Sequence, residues 1–548
     1  MDLIAQTLLV TAVGWPLVLL AACARPGTAA RVTPWLASAP LPAILAAFFS
    51  GGHFLALSPS VAMPFTLAIT PPGAVLLGVS GFLWAMAALD LPRRLADNPH
   101  RSRFVICWLL TLTGNLGVFM AADVMAFFVF YAMASLSAYG LVIHEETAEA
   151  RHAGKVYIGF ALVGEALLLM GLVLLVHNPV GGSFQIAEAV AALPDSPWFA
   201  ATMVLLAASF ALKLGLIPGH GWLPLAHSVA PAPASAVLSG AILNAGVMGL
   251  ISFVPFHADL PGGSWLMVLG FATAFFGVAV GLTQKNPKSV LAYSSVSQMG
   301  FIAAVCGMGM TLGAATDTLA ITLPLAFYAA HHTLVKGGSF LAAGIAEVRG
   351  NNRFAPWILP AVLIGPGLAG LPFTGGMLAK FAVKDILGSG TPALLATVSS
   401  AATAALMTFF IFRLVQKCAP AGPSPRIAPM MTAWMTLAVA ALVAPWWFHS
   451  LPGTISLSKA IALPELWKAA WPVGLGALLG VWLGAGDRLP RIPAGDIYHL
   501  APALGGPLRS ICSRIEAAEQ FLRRWEVSAT VFVAFAVLLA LLLYFTSA

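Results

Sequence analysis

The sequence predicts an all-α polytopic membrane protein of about sixteen transmembrane helices, and three observations predict it. Of its 548 residues, 59% are hydrophobic and 9% charged, and the mean hydropathy is +0.91, far from the balance of a soluble domain. Apolar runs of about 20 residues recur along the whole chain, each long enough to cross a hydrocarbon core. The charged residues fall mostly in the gaps between runs, and their sign alternates from one gap to the next.

Taken in order, the expected spans are 3–23, 34–51, 72–92, 104–121, 124–144, 156–177, 199–217, 232–255, 264–283, 290–309, 318–346, 356–388, 393–416, 428–449, 466–484 and 527–546. The first lacks a basic leader and a small-residue cleavage site, so it reads as a span and not a signal peptide. Residues 64–71, PFTLAITP, are too short to span and read as an outer strand or hairpin. Gaps after odd-numbered spans hold Arg25, Arg31, Arg93, Arg94, Arg101, Arg103, Arg151, Lys155, Lys285, Lys288, Arg349, Arg353, Lys417 and Arg426. Gaps after even-numbered spans hold Asp123, Asp195, Asp259 and Asp317, with almost no base until Lys459 and Lys468. The positive-inside rule then makes the odd gaps cytoplasmic and puts both termini on the outer face. Asp123 stands where an N-cap of the fifth span belongs. The polar segment 485–526 places Leu508, Ile511, Ile515, Ala518, Leu522 and Trp525 near helical spacing, which reads as an amphipathic helix on the cytoplasmic surface or a solvated linker.

Several chemistries are excluded. The five cysteines are far apart and form no CxxC, against a zinc or iron–sulfur site and against a disulfide framework. No GxGxxG follows a strand and no GxxxxGK[ST] is present, so no cofactor is expected. The net charge of +7 reflects basic cytoplasmic loops and not a nucleic-acid partner.

The informative residues are ionisable groups inside apolar runs. A lysine at mid-membrane costs roughly 2.5–3.5 kcal/mol even on the gentlest scale, so it marks a functional position by default. Lys213 sits inside FALKLGL, and Pro218, Gly219 and Gly221 break the helix directly after it. Irregular backbone at that depth survives only within protein or beside water. His220 and His227 flank Trp222-Leu223-Pro224 and titrate near neutral pH. Glu165 lies mid-way along the sixth span, either in the path or as a structural partner of Lys213. His331, His332 and Lys336 share the eleventh span, with His332 and Lys336 four apart on one face. Both histidines read as relay groups, with hydrogen-bonded core histidines as the alternative. Lys380 follows the breakers Pro372, Gly375 and Gly376, while Lys384 and Asp385 read as solvated near the outer end. Arg413 can snorkel to the surface.

Lys213 has its break after it and Lys380 its break before it, five spans later. That is what an inverted repeat of five spans produces. The chain therefore divides into helices 1–3 (1–103), a first inverted repeat of helices 4–8 (104–255), a second of helices 9–13 (256–416), helices 14–15 (417–484), the surface segment (485–526) and a C-terminal helix (527–548).

Four stretches carry a family resemblance: KLGLIPGHGWLPLAHSVAPAPASAVLSG from Lys213, KSVLAYSSVSQMG from Lys288, HHTLVKGGSFLAAG from His331 and GLPFTGGMLAK from Gly370. They resemble the antiporter-like membrane subunits shared by respiratory complex I, membrane-bound hydrogenases of the hydrogenase-4 and formate hydrogenlyase type, and Mrp-type sodium/proton antiporters. The resemblance covers roughly residues 100–390. It implies a core of fourteen helices with broken seventh and twelfth helices, set in a bacterial inner (plasma) membrane. It also implies proton translocation along Glu165, Lys213, His220, His227, His331, His332, Lys336 and Lys380. Lys213 matches the central lysine, His332 and Lys336 the eleventh-helix pair, and Lys380 the exit lysine. Implied partners are the lipid bilayer, other membrane subunits and a soluble or membrane catalytic subunit, the chain itself having no redox or nucleotide site. The alternatives are a secondary cation/proton antiporter that moves Na+, a subunit of an inorganic-carbon uptake complex, and a degenerate scaffold. Two positions depart from the family. Ala132 stands where a glutamate usually follows the Phe-rich run of the fifth helix, and Asn244 where the eighth helix often has lysine.

Overall fold

The computed structural model describes residues 2–495 apart from 26, 59–63, 259, 261, 314–315, 349–355, 418–427, 448–456, 487–488 and 491. The amphipathic helix expected within 485–526 and the helix 527–548 lie outside the described residues, as do Asp259, Arg349, Arg353 and Arg426. Each expected run from 3–23 to 466–484 is helical, and twelve helices among the described residues are long and apolar enough to cross a membrane.

The first crossing is α1 (Asp2–Ala22). The second is assembled from α2 (Ala29–Val32), a 3-10 turn (Thr33–Ser38) and α3 (Leu41–Phe49), because Pro34, Pro40 and Pro42 interrupt the regular ladder. A hairpin follows, β1 (Phe54–Ser58) against β2 (Phe65–Ala68), antiparallel with Phe54 opposite Ala68. Next come α4 (Pro71–Ala88), the short α5 (Leu91–Arg94), α6 (Arg101–Val118) and α7 (Val124–Val142). Asp123 caps α7 by accepting from the Ala126 amide at 2.8 Å. The sixth crossing, α8 (Ala148–Val176), starts eight residues before the apolar run does. Thr147 caps it, so Arg151 and Lys155 ride its first turns instead of a loop.

After the short α9 (Ile186–Ala192), the seventh crossing is split into α10 (Phe199–Leu214) and α11 (Trp222–Val229). The eighth runs α12 (Ala232–Val237), a π-helical turn (Leu238–Ile242) and α13 (Asn244–Phe253). Then follow α14 (Gly263–Gly281), α15 (Pro287–Met310) and α16 (Thr318–Val348). The twelfth is broken into α17 (Leu359–Leu368), α18 (Gly375–Ala382) and α19 (Lys384–Leu387). The described chain closes with α20 (Thr391–Gln416), α21 (Ala428–Trp447), α22 (Leu457–Ala460) and α23 (Leu463–Gly484).

Contacts gather the inter-helix segments into two groups, as alternating crossings require. At the acidic end the hairpin, the 119–123 turn and the segment around Gln185, which bridges Asp123, are stitched together: Ala68 N–H donates to Met120 C=O at 2.8 Å and Ile186 N–H to Ala122 C=O at 3.0 Å. At the basic end Glu347 meets Lys288 at 3.3 Å and Lys417 at 3.6 Å, and Arg103 pairs with Glu146. Between these ends α15 and α16 form the centre. Every residue from Pro287 to Gly307 and from Ile321 to Ala346 is buried. A helix enclosed by protein can carry polar groups on all sides, and α15 does so with Ser294, Ser295, Ser297 and Gln298.

Small residues set the closest packings. A Cβ at Gly114 of α6 would lie 2.4 Å from the Ala134 amide of α7, and one at Gly270 of α14 would lie 2.4 Å from the Ala304 amide of α15. Backbones approach this closely only where no side chain intervenes.

Candidate functional site, a buried lysine and histidine axis

Lys213 is the penultimate residue of α10. Gly215 ends the helix in the left-handed region at φ +69, which a residue with Cβ adopts only at a cost. The carbonyls freed by the break are taken up locally. Leu216 N–H donates to Ala211 C=O at 2.9 Å and Trp222 Nε1–H to Leu212 C=O at 3.0 Å. The Lys213 ammonium donates to the Ser135 hydroxyl of α7 and stands 5.0 Å above the Tyr131 ring. Glu165 of α8 is buried, with its carboxylate in hydrogen-bonding reach of the same Ser135 hydroxyl. Tyr131, Ser135, Glu165, Ser209 and Lys213 line one small cavity, large enough to hold a water molecule. Cation, hydroxyl and carboxylate thus meet at one point, with Ser135 between the two charges.

At the centre His220 is wholly buried, 4.8 Å from the Phe276 ring. His227, in the last turn of α11, stacks on Phe340 at 4.7 Å. Lys336 is wholly buried and donates to the Leu291 carbonyl of α15 at 2.9 Å. His332 sits one turn before it. Neither ring nitrogen of His227 or of His332 has a hydrogen-bond partner among the described residues. Buried polar groups of this kind are satisfied by ordered water when protein does not serve them. Asn244 follows the π-helical turn and donates to Thr333 Oγ1 at 2.7 Å and to Gly240 C=O at 3.1 Å. Thr333 donates in turn to Gly240 C=O at 2.7 Å. The eighth and eleventh crossings are therefore cross-braced one residue from His332. A π turn leaves a carbonyl free for such a brace, and these turns recur at functional positions. The His331 ring lies against Gly375 and Gly376, at the break of the twelfth crossing.

Lys380, in the last turn of α18, donates to the Ser400 hydroxyl of α20 and stands 5.8 Å from the Phe301 ring. It faces a second, larger cavity, which no residue lining the first one lines. Lys384, Glu465 and Lys468 stand along its wall, Glu465 bonded to Lys384 at 2.9 Å and to Lys468 at 2.8 Å. Lys384 is therefore not simply solvated, as its position in the sequence suggests, but ion-paired.

The structure brings Glu165 to Lys213, and His332 to Lys336, and sets Lys380 apart in its own cavity. His220 precedes α11 and His227 lies in its last turn, both buried and neither lining the first cavity. Ser135, Tyr131, Ser400, Phe301, Glu465 and Lys468 escape sequence reasoning. Serine and aromatic residues are ordinary in apolar helices, and Glu465 sits at the start of its run, where an acid is unremarkable.

Apolar helices with two breaks, and lysines placed at the breaks, define a polytopic membrane protein with a polar interior, which both features need. The chain belongs to the NADH:quinone oxidoreductase/Mrp antiporter transmembrane family, whose pattern matches residues 121–408. It is 30% identical over 275 residues to hydrogenase-4 component B of Escherichia coli (strain K12), covering 46% of this chain and 40% of that one. It is 29% identical over 342 residues to NADH-quinone oxidoreductase subunit N of Desulforudis audaxviator (strain MP104C), covering 58% and 65% respectively. The matches span less than two thirds of these relatives. In fold it is similar to a chain of the Mrp complex from Dietzia sp. DQ12-45-1b, with a TM-score of 0.72 at 22% identity over 98% of this chain and 62% of that one. It is also similar to a chain of the membrane-bound sulfane sulfur reductase, an archaeal respiratory membrane complex, with a TM-score of 0.66 at 21% identity over 87% and 99%.

Proposed function

We propose that the chain is a proton-translocating membrane subunit of a larger energy-converting complex. One observation carries this reading: two lysines at broken helices each meet a serine hydroxyl and an aromatic ring at the wall of a cavity, with a wholly buried lysine and histidine pair on α16. A lysine so placed loses its proton when a neighbouring charge is withdrawn and regains it when the charge returns, because desolvation and Coulomb attraction oppose each other. Lys213 with Glu165 forms the first such station, His332 with Lys336 the second and Lys380 the third. His220, His227 and His331 link them, the ring nitrogens of His227 and His332 supplying sites for a water chain. The similarity to subunits of hydrogenase-4 and of NADH-quinone oxidoreductase supports a partner that supplies the energy.

In this reading the basic end faces the cytoplasm of a bacterial inner membrane, both termini lie outside, and helices 4–8 and 9–13 are inverted repeats. The shared environment of Lys213 and Lys380 supports the repeat. So do the glycine-packed pairs α6–α7 and α14–α15, which open the two halves.

Glu165 takes the place of the acid missing at Ala132. Its reach to Ser135 favours this over a dead first half, whereas Asn244 offers no titratable group and serves as a brace. Reconstituting the complex in proteoliposomes tests the reading. Lys213→Ala and Lys380→Ala should each abolish proton movement while leaving the complex assembled. Transport by either variant at the parental rate overturns it.

A further inference from the structure

The outer end of α23 has no role in the path described so far, yet it forms one wall of the Lys380 cavity. Its contribution stops at Pro472: Glu465, Lys468, Ala469, Trp471 and Pro472 line the cavity, and nothing beyond does. Beyond Pro472 the helix changes partner. Gly476, Gly480 and Gly484 press on α20, where an added Cβ would stand 2.0 Å from Ala401 O and 2.5 Å from Ala405 O at the first two. The second half of α23 is therefore clamped, whereas the first half faces open space. Between the halves Pro472 has no amide hydrogen, so the Lys468 carbonyl loses its helical partner and the helix is free to bend there.

We propose that the first turns of α23, Leu463–Trp471, are a lid over the Lys380 cavity, latched to α19 by the Glu465–Lys384 pair, and that Glu465 is the outlet carboxylate of the path. The proposal rests on proton translocation as read above. Glu465 is the one carboxylate lining this cavity among the described residues, and its side chain is 11% exposed, against 45% for Lys384. The acceptor is thus inside while its partner reaches the surface. Lys380, Lys384 and Lys468 are the charged groups that face it. The step is a proton transfer alone. An N–H bond of the Lys380 ammonium breaks, leaving the amine, and an O–H bond forms on Glu465 through cavity water. Neutral Glu465 no longer holds Lys384, the lid swings on Pro472, and the proton leaves to the outer side as the carboxylate re-forms and the latch closes.

The test places a thiol in the cavity. Thr397 lines it and its hydroxyl bonds only within its own helix, to Ala393 C=O. In the intact complex in membrane vesicles, Thr397→Cys is labelled with a membrane-impermeant maleimide, read above the native thiols, beside proton flux in the same preparation. Glu465→Gln and Lys384→Gln each break the latch from one side and should speed labelling about five-fold, as expected for loss of a half-exposed pair. The reversed pair, Lys384→Glu with Glu465→Lys, should return the rate to near the parental one. Equal labelling with and without the latch, or a reversed pair as fast as the single variants, overturns the lid. Labelling that follows the expectation in a complex that moves no protons leaves the lid standing and overturns the transport reading instead.

Discussion

Ser135 holds Lys213 and Glu165 in one network, and that makes it testable apart from both. A hydrogen bond to a charged group contributes about 1.5–3 kcal/mol, so Ser135→Ala should lower proton flux at least ten-fold with the complex intact. In a double-mutant cycle with Glu165→Gln the losses should not add, since residues in one network couple by about 0.5–3 kcal/mol. Additive losses in a flux assay would mean that Ser135 serves Lys213 alone. A second residue-scale prediction concerns stability at the basic end. His144 is buried beside Phe104 and accepts from Asn98, and burial, with Arg103 nearby, pulls its pKa down to about 4 from 6.5. The folded state therefore prefers the neutral ring, and stability falls as pH drops from about 6.5 towards 4, by something on the order of 1–3 kcal/mol. Glu146, which Arg103 holds below its ordinary 4.5, adds a further loss as pH falls below about 4.5. Thermal unfolding in detergent across this window should flatten in His144→Asn. The lysines were legible because a charge in an apolar run is conspicuous. Their hydroxyl and aromatic partners were not, because an interhelical meeting leaves no local mark on a sequence.

Among the elements, the breaks follow from Pro218 and Pro372 with their glycines, and the cap at Asp123 from its side-chain chemistry. The α8 start was misplaced because hydropathy marks where lipid contact begins, not where the backbone turns helical. The π turn at Leu238–Ile242 has no propensity signal at all. It coincides with the brace in which Gly240 C=O accepts from Asn244 and Thr333, a meeting of two helices that no local sequence marks. Glycine substitutions measure how fixed these elements are. A Cβ at Gly300 would sit 2.6 Å from the Ala274 amide, whereas Gly14 has nothing within 4 Å. Gly300→Ala should lower unfolding stability by about 1–3 kcal/mol, and Gly14→Ala should not, as measured by thermal melts of the purified protein.

For the molecule as a whole, the alternation of basic and acidic gaps predicted which segments share an end, and the contacts at Glu347 and at the hairpin fit that pairing. The proposed orientation has a direct check. His177→Cys at the acidic end should react with an impermeant thiol reagent in intact cells, and Glu145→Cys at the basic end only after permeabilisation. The reverse pattern would invert the topology and turn the Lys380 cavity towards the cytoplasm.

The enclosure of α15 and α16 bears on how the protein is made. These two helices carry Lys288, Gln298, His331, His332 and Lys336 and have lipid on almost no side. A charged residue mid-way along a helix, as Lys336 is in α16, opposes its release into bilayer by roughly 2.5–3.5 kcal/mol, and Gln298 with the serines of α15 opposes it in the same sense. Neither helix is suited to partition alone as it leaves the ribosome. Both must wait, shielded by an insertase or by earlier helices such as α4 and α14, until the walls that hide their polar faces have been synthesised.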